Sequence, residues 1–492
     1  MTFSSTEATP RARTESTHAA SHVAESAEPT ASWAQTTIFA LSAIALSFAL
    51  NVSQGFLNGS ALLWISLSFA FCLGAVMTRR AGLFTNRSDW SRTFLHSVLQ
   101  LGVWLQLIQL LMHFPRYLNK PIAFATVDIF RFGISLVLLL TIASCIPRFR
   151  YQKAVFPLIL LAHVALSVWM IRHCHWPGID VFVIQRDSAR ALLHGVNPYT
   201  ITFPDPYHGQ PSHYASGVAV GGRLMTGYVY PPLSVLMALP GQLLGDVRYA
   251  NLMAISGAGA LLAYARPSRF SFLAATLFLF FPQVFFVLVM CWTDAFIVLL
   301  LAAVLFAACR APRFLAVALG LLMAVKQYLF LAAPLIYLLV PEQETTSNAK
   351  SSTWRLLGKT VLVALAVSLP LILWNPSAYW RYAVLLNFNN LFRPDSLNFA
   401  AAWFAFTKHP PSSLIGFALL IPTYWLIVKR SPRTPAGFAG ATALLYFVFF
   451  LFGRQAFINY YFVIFSALCG AIAVAKLDEP TDERGRISTA NG

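Results

Sequence analysis

Charged side chains are scarce in this 492-residue chain. Asp, Glu, Lys and Arg make up 11% of it, whereas a soluble protein carries about 25%. Glutamate is missing altogether between Glu28 and Glu342, and the six cysteines show no Cys-x-x-Cys spacing. These absences exclude an ordinary soluble domain and give no support to a zinc or redox motif. A disulfide between Cys174 and Cys291 stays open, although buried thiols are the simpler interpretation.

Apolar residues take the place of the missing charge. Hydrophobic residues make up 58% of the chain, and its mean hydropathy is +0.64. Several apolar runs approach the roughly 20 residues that a helix needs to cross a membrane. The sequence therefore predicts an all-α fold, a polytopic transmembrane helical bundle surrounded by membrane lipid. Because the basic residues are scattered between apolar runs, the net charge of +17 indicates topology signals rather than binding to nucleic acid.

Composition divides the chain into five parts. The first is rich in Ser, Thr, Ala and Glu, so it cannot bury enough apolar surface to fold. In chain order, we predict a disordered cytoplasmic tail (1–33), N-terminal transmembrane helices (34–172), an outer loop with catalytic residues (173–230), a C-terminal transmembrane bundle (231–476) and a second cytoplasmic tail (477–492).

Basic clusters orient the predicted spans, because Lys and Arg favour the cytoplasmic side. Two such clusters are Arg79, Arg80, Arg87 and Arg92, and then Arg148, Arg150 and Lys153. They predict a multi-pass protein of the cell (inner) membrane with both termini inside, the 173–230 loop outside and about fourteen spans. The short stretch 231–246 is predicted to be re-entrant or interfacial. The predicted spans lie at 35–57, 60–78, 93–113, 127–146, 154–172, 249–265, 270–290, 295–309, both halves of 314–340, 356–374, 413–428, 436–452 and 459–476.

The few acidic residues outside the tails are informative. An ionised group beside hydrocarbon costs several kcal/mol unless it is paired or hydrated. Asp294 and Lys326 lie within apolar sequence, and Lys326 interrupts the 314–340 run near its predicted outer apex. We therefore favour a shared polar cavity on the outer side over ordinary solvated loop charge. The aspartates on that side of the predicted topology are Asp128, Asp180, Asp187, Asp205, Asp246, Asp294 and Asp395.

The outer loop contains a predicted amphipathic helix at 181–194, closed by Gly195. Asp187 and His194, seven residues apart, share one face of this helix with Arg190 adjacent, and Asp180 could share that stripe. Asp180 could equally serve as the N-cap of the helix, a role that does not exclude catalysis. Three further loop residues are of metal-binding type, but their spacing predicts a plain loop role: Asp205, His208 and His213.

The order of motifs in this region resembles a known family. An aspartate after a span and an amphipathic helix are followed by Gly195-Val196-Asn197-Pro198-Tyr199 and then by Tyr228-Val229-Tyr230-Pro231-Pro232-Leu233. This order resembles the membrane glycosyltransferases of the GT-C superfamily, most closely the polyprenyl-phosphate-mannose-dependent family 87. The resemblance covers roughly 175–340. It implies that Asp180 is the catalytic aspartate and that Asp294 is a second acid in the next outer loop. Five predicted spans before the loop depart from the family pattern.

The reaction that this resemblance implies moves mannose, or a related hexose or pentose, from a polyprenyl-phosphate donor to an acceptor glycan or lipid on the outer face. A carboxylate must take the proton of the acceptor hydroxyl, so Asp180 is the candidate general base, with Asp187 and Asp294 as further catalytic candidates. The phosphate leaving group needs cations. A divalent cation could assist, although no residue pattern requires one. Candidate substrate-binding residues are Lys326, Arg393, Arg454, Arg190, Tyr230 and Gln327.

Two other functions fit an apolar chain of this kind. A multi-pass transporter or flippase of lipid-linked sugars would show interrupted helices and buried charges, but also paired halves, which we do not find. An O-antigen ligase or polymerase would act on lipid-linked sugars from the same side. Sugar incorporation from a labelled polyprenyl-phosphate donor separates transfer from transport.

Overall fold

The computed structural model describes residues 31–78, 88–113, 124–146, 152–210, 214–340, 346–388 and 391–477. The described chain is mostly helical. Its α-helices are α1 (Trp33–Ser53), α2 (Gly59–Met77), α3 (Ser88–Met112), α4 (Phe124–Ala143), α5 (Gln152–His173), α6 (Asp180–Leu193), α7 (Pro232–Leu243), α8 (Arg248–Ala265), α9 (Arg269–Leu279), α10 (Val284–Val289), α11 (Asp294–Arg310), α12 (Leu315–Val325), α13 (Thr346–Trp374), α14 (Pro376–Tyr379), α15 (Leu386–Phe388), α16 (Phe399–Thr407), α17 (Leu414–Arg430), α18 (Pro435–Leu451) and α19 (Ile458–Ala473).

Shorter elements complete the chain. The 3-10 helices are Pro198–Thr200, Pro312–Phe314 and Gln327–Leu339, and a π-helical turn covers Trp380–Leu385. Three two-residue strands, β1 (Phe203–Pro204), β2 (Ala219–Val220) and β3 (Arg223–Leu224), form a small antiparallel sheet in the order β1-β3-β2. This sheet in the outer loop is a minor departure from the all-α prediction.

The described helices support the prediction of a membrane protein. Five of them, α1, α2, α3, α5 and α13, are long and apolar enough to cross a membrane. The number of spans and their orientation stay predictions. The basic residues at 79, 80, 87, 148 and 150, like 1–30 and 478–492 of the two predicted tails, lie outside the described residues. Within the predicted first tail, Ala31 already pairs with Leu477 and Trp33 begins α1.

Two interruptions show how proline and charge shape the helices. The predicted single span at 270–290 is wrong as one helix, because the chain forms α9 and α10 with a break before α10. Pro282 lies in that break and lacks the amide hydrogen that a continuous helix needs. The predicted interruption at Lys326 is confirmed: α12 ends at Val325, Lys326 is extended, and a 3-10 helix follows.

Helix α19 occupies the centre of the bundle. It is almost entirely buried and packs against α1, α8, α9, α11 and α18. Helices α8 and α11 also pack closely along each other. This arrangement matters for function because Asp294 begins α11 and Asn459 lies in the first turn of α19. The core therefore brings polar side chains from distant parts of the sequence to the same end of the bundle.

Within the predicted outer loop, the segment after α6 folds back against α6. The predicted helix at 181–194 is confirmed as α6, and α7, with 12 residues, is too short to span a membrane by itself. The Tyr199 hydroxyl donates to the Tyr230 carbonyl at 2.8 Å. Gly227 lies so close to this segment that a Cβ there would be 2.1 Å from the Tyr199 carbonyl oxygen. The loop is thus a packed unit rather than an extended connection.

Candidate functional site

Asp180 stands at the beginning of α6 with a half-buried carboxylate. Its Oδ1 accepts a hydrogen bond from the Val181 amide at 2.8 Å. The N-cap position belongs to Ile179, so the alternative that Asp180 is the cap is wrong by one residue. Asp180 instead lies in the first turn, where the helix dipole favours a negative charge. Its carboxylate is therefore held in place by its own helix and still faces the loop.

Two tyrosines from the outer loop contact this carboxylate. The Tyr207 hydroxyl is 3.3 Å from Oδ1 of Asp180, and the Tyr214 hydroxyl is 3.3 Å from Oδ2. We call Tyr207 and Tyr214 the tyrosine pair; their ring centroids are 5.7 Å apart. Burial, and then the charge of Asp180, raise the pKa of both phenols, so they stay protonated at neutral pH. No sequence signal identified the tyrosine pair, because these neutral residues follow no periodic pattern.

Asp205 shapes the turn that carries Tyr207. Its carboxylate accepts from the backbone amides of Tyr207 at 2.9 Å and of Gly209 at 2.6 Å. The predicted plain loop role of Asp205 is therefore confirmed. His213 lies outside the described residues. Among those that are described, no group of three or more His, Cys, Asp or Glu side chains could hold a metal ion together.

Asp294 and Lys326 form a buried ion pair. The Nζ of Lys326 is 2.6 Å from Oδ2 of Asp294, and both side chains are almost inaccessible. The Nδ2 of Asn459 donates to the same oxygen at 3.0 Å, and the Tyr328 hydroxyl donates to Oδ1 at 3.1 Å. Burial of this carboxylate is thus compensated by one cation and two neutral donors. The structure brings together the two isolated charges that the sequence analysis singled out.

Tyrosine rings surround the Lys326 ammonium. Its Nζ lies 5.8 Å from the ring centroid of Tyr230, and 5.5 Å from those of Tyr328 and Tyr460. At these distances the ring faces attract the cation. The ammonium is therefore satisfied by Asp294 and by aromatic faces, and any contact with a bound phosphate would require it to exchange partners.

Tyr230 connects the two carboxylates of the site. Burial and the negative charges of Asp180 and Asp294 raise the pKa of Tyr230 well above its ordinary value. Its side chain is half-buried, and its ring lies 5.8 Å from the Lys326 ammonium. A polar cluster thus runs from Asp180 through Tyr230 to Asp294.

Arg393 is a cation that interacts electrostatically with Asp180. Its guanidinium makes a bidentate pair with Asp395, at 2.9 Å and 2.7 Å, and lies 4.7 Å from the ring centroid of Phe457. The hydrogen bonds to Asp395 raise the pKa of Arg393, and Tyr207 and Asp180 contribute in the same direction. The Arg393 guanidinium is therefore held in a fixed orientation by Asp395, which also balances its charge.

The turn between α1 and α2 fixes the segment that carries Arg393. Leu57 donates its amide to the Asp395 carbonyl at 2.8 Å, and Leu397 donates to the Gly55 carbonyl at 2.9 Å. Gly55 has φ of +85°, and a Cβ there would lie 2.5 Å from the Ile458 amide nitrogen. Only glycine fits this close approach. The N-terminal helices thus position one wall of the site.

The other sequence candidates on α6 lie apart from the cluster. Asp187 pairs with Arg186 at 2.7 Å, and Arg190 is exposed near the end of the helix. Arg186 also lies over the rings of Trp176 and Phe182. This arrangement occupies the Asp187 carboxylate with a local partner.

Arg454 and Gln327 contact the backbone. The guanidinium of Arg454 donates to the Phe388 carbonyl at 2.7 Å, and its own carbonyl accepts from the Arg393 amide. The Gln327 amide nitrogen donates to the carbonyls of Val229 at 2.8 Å and Ala383 at 2.9 Å. Both side chains therefore hold segments around the site together.

The cysteines left open by the sequence analysis do not form a disulfide. Cys174 and Cys291 are both free and buried. Cys291 contacts Asn251, and the carbonyl of Cys174 accepts from Arg248, which anchors the start of α8 to the end of α5. Their neighbours indicate packing roles.

No protein-family model, curated protein or solved structure was found to match this chain. The chemistry of the site therefore rests on its own side chains. Those side chains combine a half-buried carboxylate, a fixed arginine and a row of tyrosines at one end of an apolar helical bundle.

Proposed function

We propose that this chain is an integral membrane glycosyltransferase. It moves a sugar from a polyprenyl-phosphate donor to a hydroxyl group of an acceptor glycan or lipid on the outer face of the membrane. The observation that carries this proposal is the half-buried Asp180 carboxylate, which is held by Val181 and the tyrosine pair and interacts electrostatically with Arg393 and Tyr230. Such a transfer needs a carboxylate that accepts a proton, a guanidinium that binds a phosphate and aromatic faces that stack on a sugar ring.

In the proposed reaction, the acceptor hydroxyl oxygen attacks the anomeric carbon of the donor sugar. Asp180 accepts the hydroxyl proton as the new carbon–oxygen bond forms. The bond between the anomeric carbon and the phosphate oxygen breaks, and polyprenyl phosphate leaves with the bonding electrons. Asp395 holds two of the guanidinium N–H groups of Arg393, and the remaining ones donate to this phosphate as its negative charge grows. Because Asp395 already orients the guanidinium, little reorganisation is needed during the reaction.

The buried pair of Asp294 and Lys326 has a supporting role in this proposal. Since Lys326 is neutralised by Asp294, the pair contributes little net charge to the donor site. It instead fixes the rings of Tyr230, Tyr328 and Tyr460 around the ammonium. These rings then form a rigid wall against which a sugar can stack.

An apolar surface continues from the site towards the lipid. The 3-10 helix that begins at Gln327 packs against α13 and α18, and Phe330 on it is 62% exposed. Leu362 and Leu373 of α13 are similarly exposed, at 67% and 68%. A polyprenyl chain lying along this surface would keep its apolar carbons in the bilayer while its phosphate stays at the polar cluster.

Replacement of the candidate base tests the proposal. Asp180→Asn keeps the shape of the side chain but removes its ability to accept a proton, so transfer should fall at least about 100-fold. The measurement is incorporation of labelled sugar from a polyprenyl-phosphate donor by the purified protein in liposomes. Asp128→Asn, at an exposed aspartate of α4, is the matched control and should retain activity. Full activity of Asp180→Asn would remove this residue from the mechanism.

Transport of lipid-linked sugars is the second candidate. The observation in its favour is the broken helix at Lys326 with a buried ion pair, an arrangement also found in transporters. The same liposomes separate the two functions. Movement of the labelled donor across the bilayer without sugar transfer would support the transporter.

A further inference from the structure

We infer that the tyrosine pair, Tyr207 and Tyr214, positions the Asp180 carboxylate and keeps it ionised for proton acceptance. This inference rests on the proposed function for its catalytic meaning, but its physical part concerns one carboxylate and two phenols. Each phenol faces a different oxygen of the carboxylate, at 3.3 Å. These hydrogen bonds are long, as those at catalytic groups often are before a substrate binds.

The direction of both hydrogen bonds follows from protonation. Burial raises the pKa of both phenols first, and the charge of Asp180 raises it further. The phenols therefore remain neutral donors, and the carboxylate is the acceptor. Donors aimed at an ionised carboxylate stabilise its charged form and lower its pKa. Among the described residues, Tyr230, which precedes α7, and Arg393 also interact electrostatically with Asp180.

The geometry also fixes the orientation of the Asp180 carboxylate. Oδ1 already accepts from the Val181 amide at 2.8 Å as well as from Tyr207. Oδ2 has Tyr214 as its partner from the loop. The carboxylate plane is thus fixed by contacts to both oxygens from α6 and from the outer loop. Tyr207 and Tyr214 are positioning residues in this account, because they act on the reaction through Asp180.

Labelling with a hydrophobic carbodiimide tests this inference without any assay of transfer. The reagent, dicyclohexylcarbodiimide, reacts with protonated carboxyl groups, so labelling of Asp180 falls as pH rises through its pKa. The full-length purified protein is labelled over a range of pH, and the Asp180 peptide is quantified by mass spectrometry. Asp180→Asn defines the background.

Tyr207→Phe and Tyr214→Phe should each shift the labelling midpoint of Asp180 upwards by about one to two pH units, because each removes one hydrogen bond to a charged group. Tyr264→Phe, on α8 at an exposed position, is the matched control and should leave the profile unchanged. Both test variants keep their rings, and gel filtration with thermal unfolding checks that they fold. A profile in which neither variant gains label over the wild type would overturn the inference.

The pH dependence of the transfer rate gives the second measurement, because the rate should fall at acidic pH when Asp180 becomes protonated. If the proposed function also holds, the pH at which the transfer rate falls should rise together with the labelling midpoint in both variants. A shifted labelling profile in a protein without transferase activity would support the effect of the tyrosine pair on Asp180 and contradict the glycosyltransferase proposal. Transferase activity with an unshifted labelling profile in both variants would support the proposed function and contradict the inference about the tyrosine pair.

Discussion

Asp294 shows how a single buried carboxylate is accommodated in this bundle. Its two oxygens accept from Lys326, Asn459 and Tyr328. The sequence pointed to Asp294 and Lys326, because an isolated charge in an apolar run needs a partner. It did not point to Asn459, since a neutral amide near a helix start carries no comparable signal. Sequence reasoning thus finds buried charges more readily than the neutral groups that complete their hydrogen bonds.

Separate removal of the two charges should destabilise the protein strongly. Lys326→Ala leaves Asp294 buried without its cation, and Asp294→Ala leaves the ammonium without its anion. Each substitution should lower the free energy of unfolding by about 3–5 kcal/mol. Denaturant titration of the purified protein in detergent measures this.

The double substitution Asp294→Ala with Lys326→Ala is the informative control. It removes both charges, so it should lower the free energy of unfolding by less than the sum of the losses in the two single variants. Strict additivity would argue against a coupled pair in the folded protein.

At the scale of elements, helix positions followed from apolar periodicity and from end signals such as Gly195 after α6. The break between α9 and α10 was missed, although Pro282 was visible, because the apolar run continues through it. The contact of the tyrosine pair with Asp180 also could not be predicted from the sequence. Its position depends on the packing of the outer loop against α6, which no local pattern encodes.

Gly227→Ala tests whether that packing matters. The added Cβ would meet the Tyr199 carbonyl oxygen, so the segment before α7 must move away. We expect a loss of about 1–3 kcal/mol in the free energy of unfolding, from overpacking. Sugar transfer should fall as well, since Tyr230 would be displaced. Thermal unfolding and the liposome assay report the two effects.

Gly74→Ala in α2 is the matched control, because no atom lies within 4 Å of its added Cβ. It should be neutral or stabilise the helix slightly. Equal losses in both variants would show that close packing of the loop is not the cause.

For the whole molecule, the low charge and the apolar runs predicted a helical membrane protein, and the described helices agree. Orientation depends on basic clusters that lie largely outside the described residues, and so it remains a prediction. What brings Asp180, Arg393 and Asp294 into one cluster is tertiary packing of α6, α11 and the segment before α16, which the α1–α2 turn holds. Such long-range contacts cannot be deduced from one sequence.

Thiol labelling tests the predicted orientation. In a Cys145→Ser background, which removes an exposed native thiol, cysteine is introduced at His194 after α6 or at Lys429 near the end of α17. Both positions are exposed. A membrane-impermeant maleimide added to intact cells should label position 194 and leave position 429 unlabelled until the cells are lysed. The opposite pattern would place the polar cluster on the cytoplasmic side.

The ion pair of Asp294 and Lys326 also has a consequence for biogenesis. Asp294 leaves the ribosome 32 residues before Lys326 and 165 residues before Asn459. A nascent α11 therefore carries a carboxylate whose partners have not yet been synthesised. We expect its stable integration to depend on α12 and the Lys326 that follows it, and the hydrogen bond from Asn459 forms only when α19 inserts.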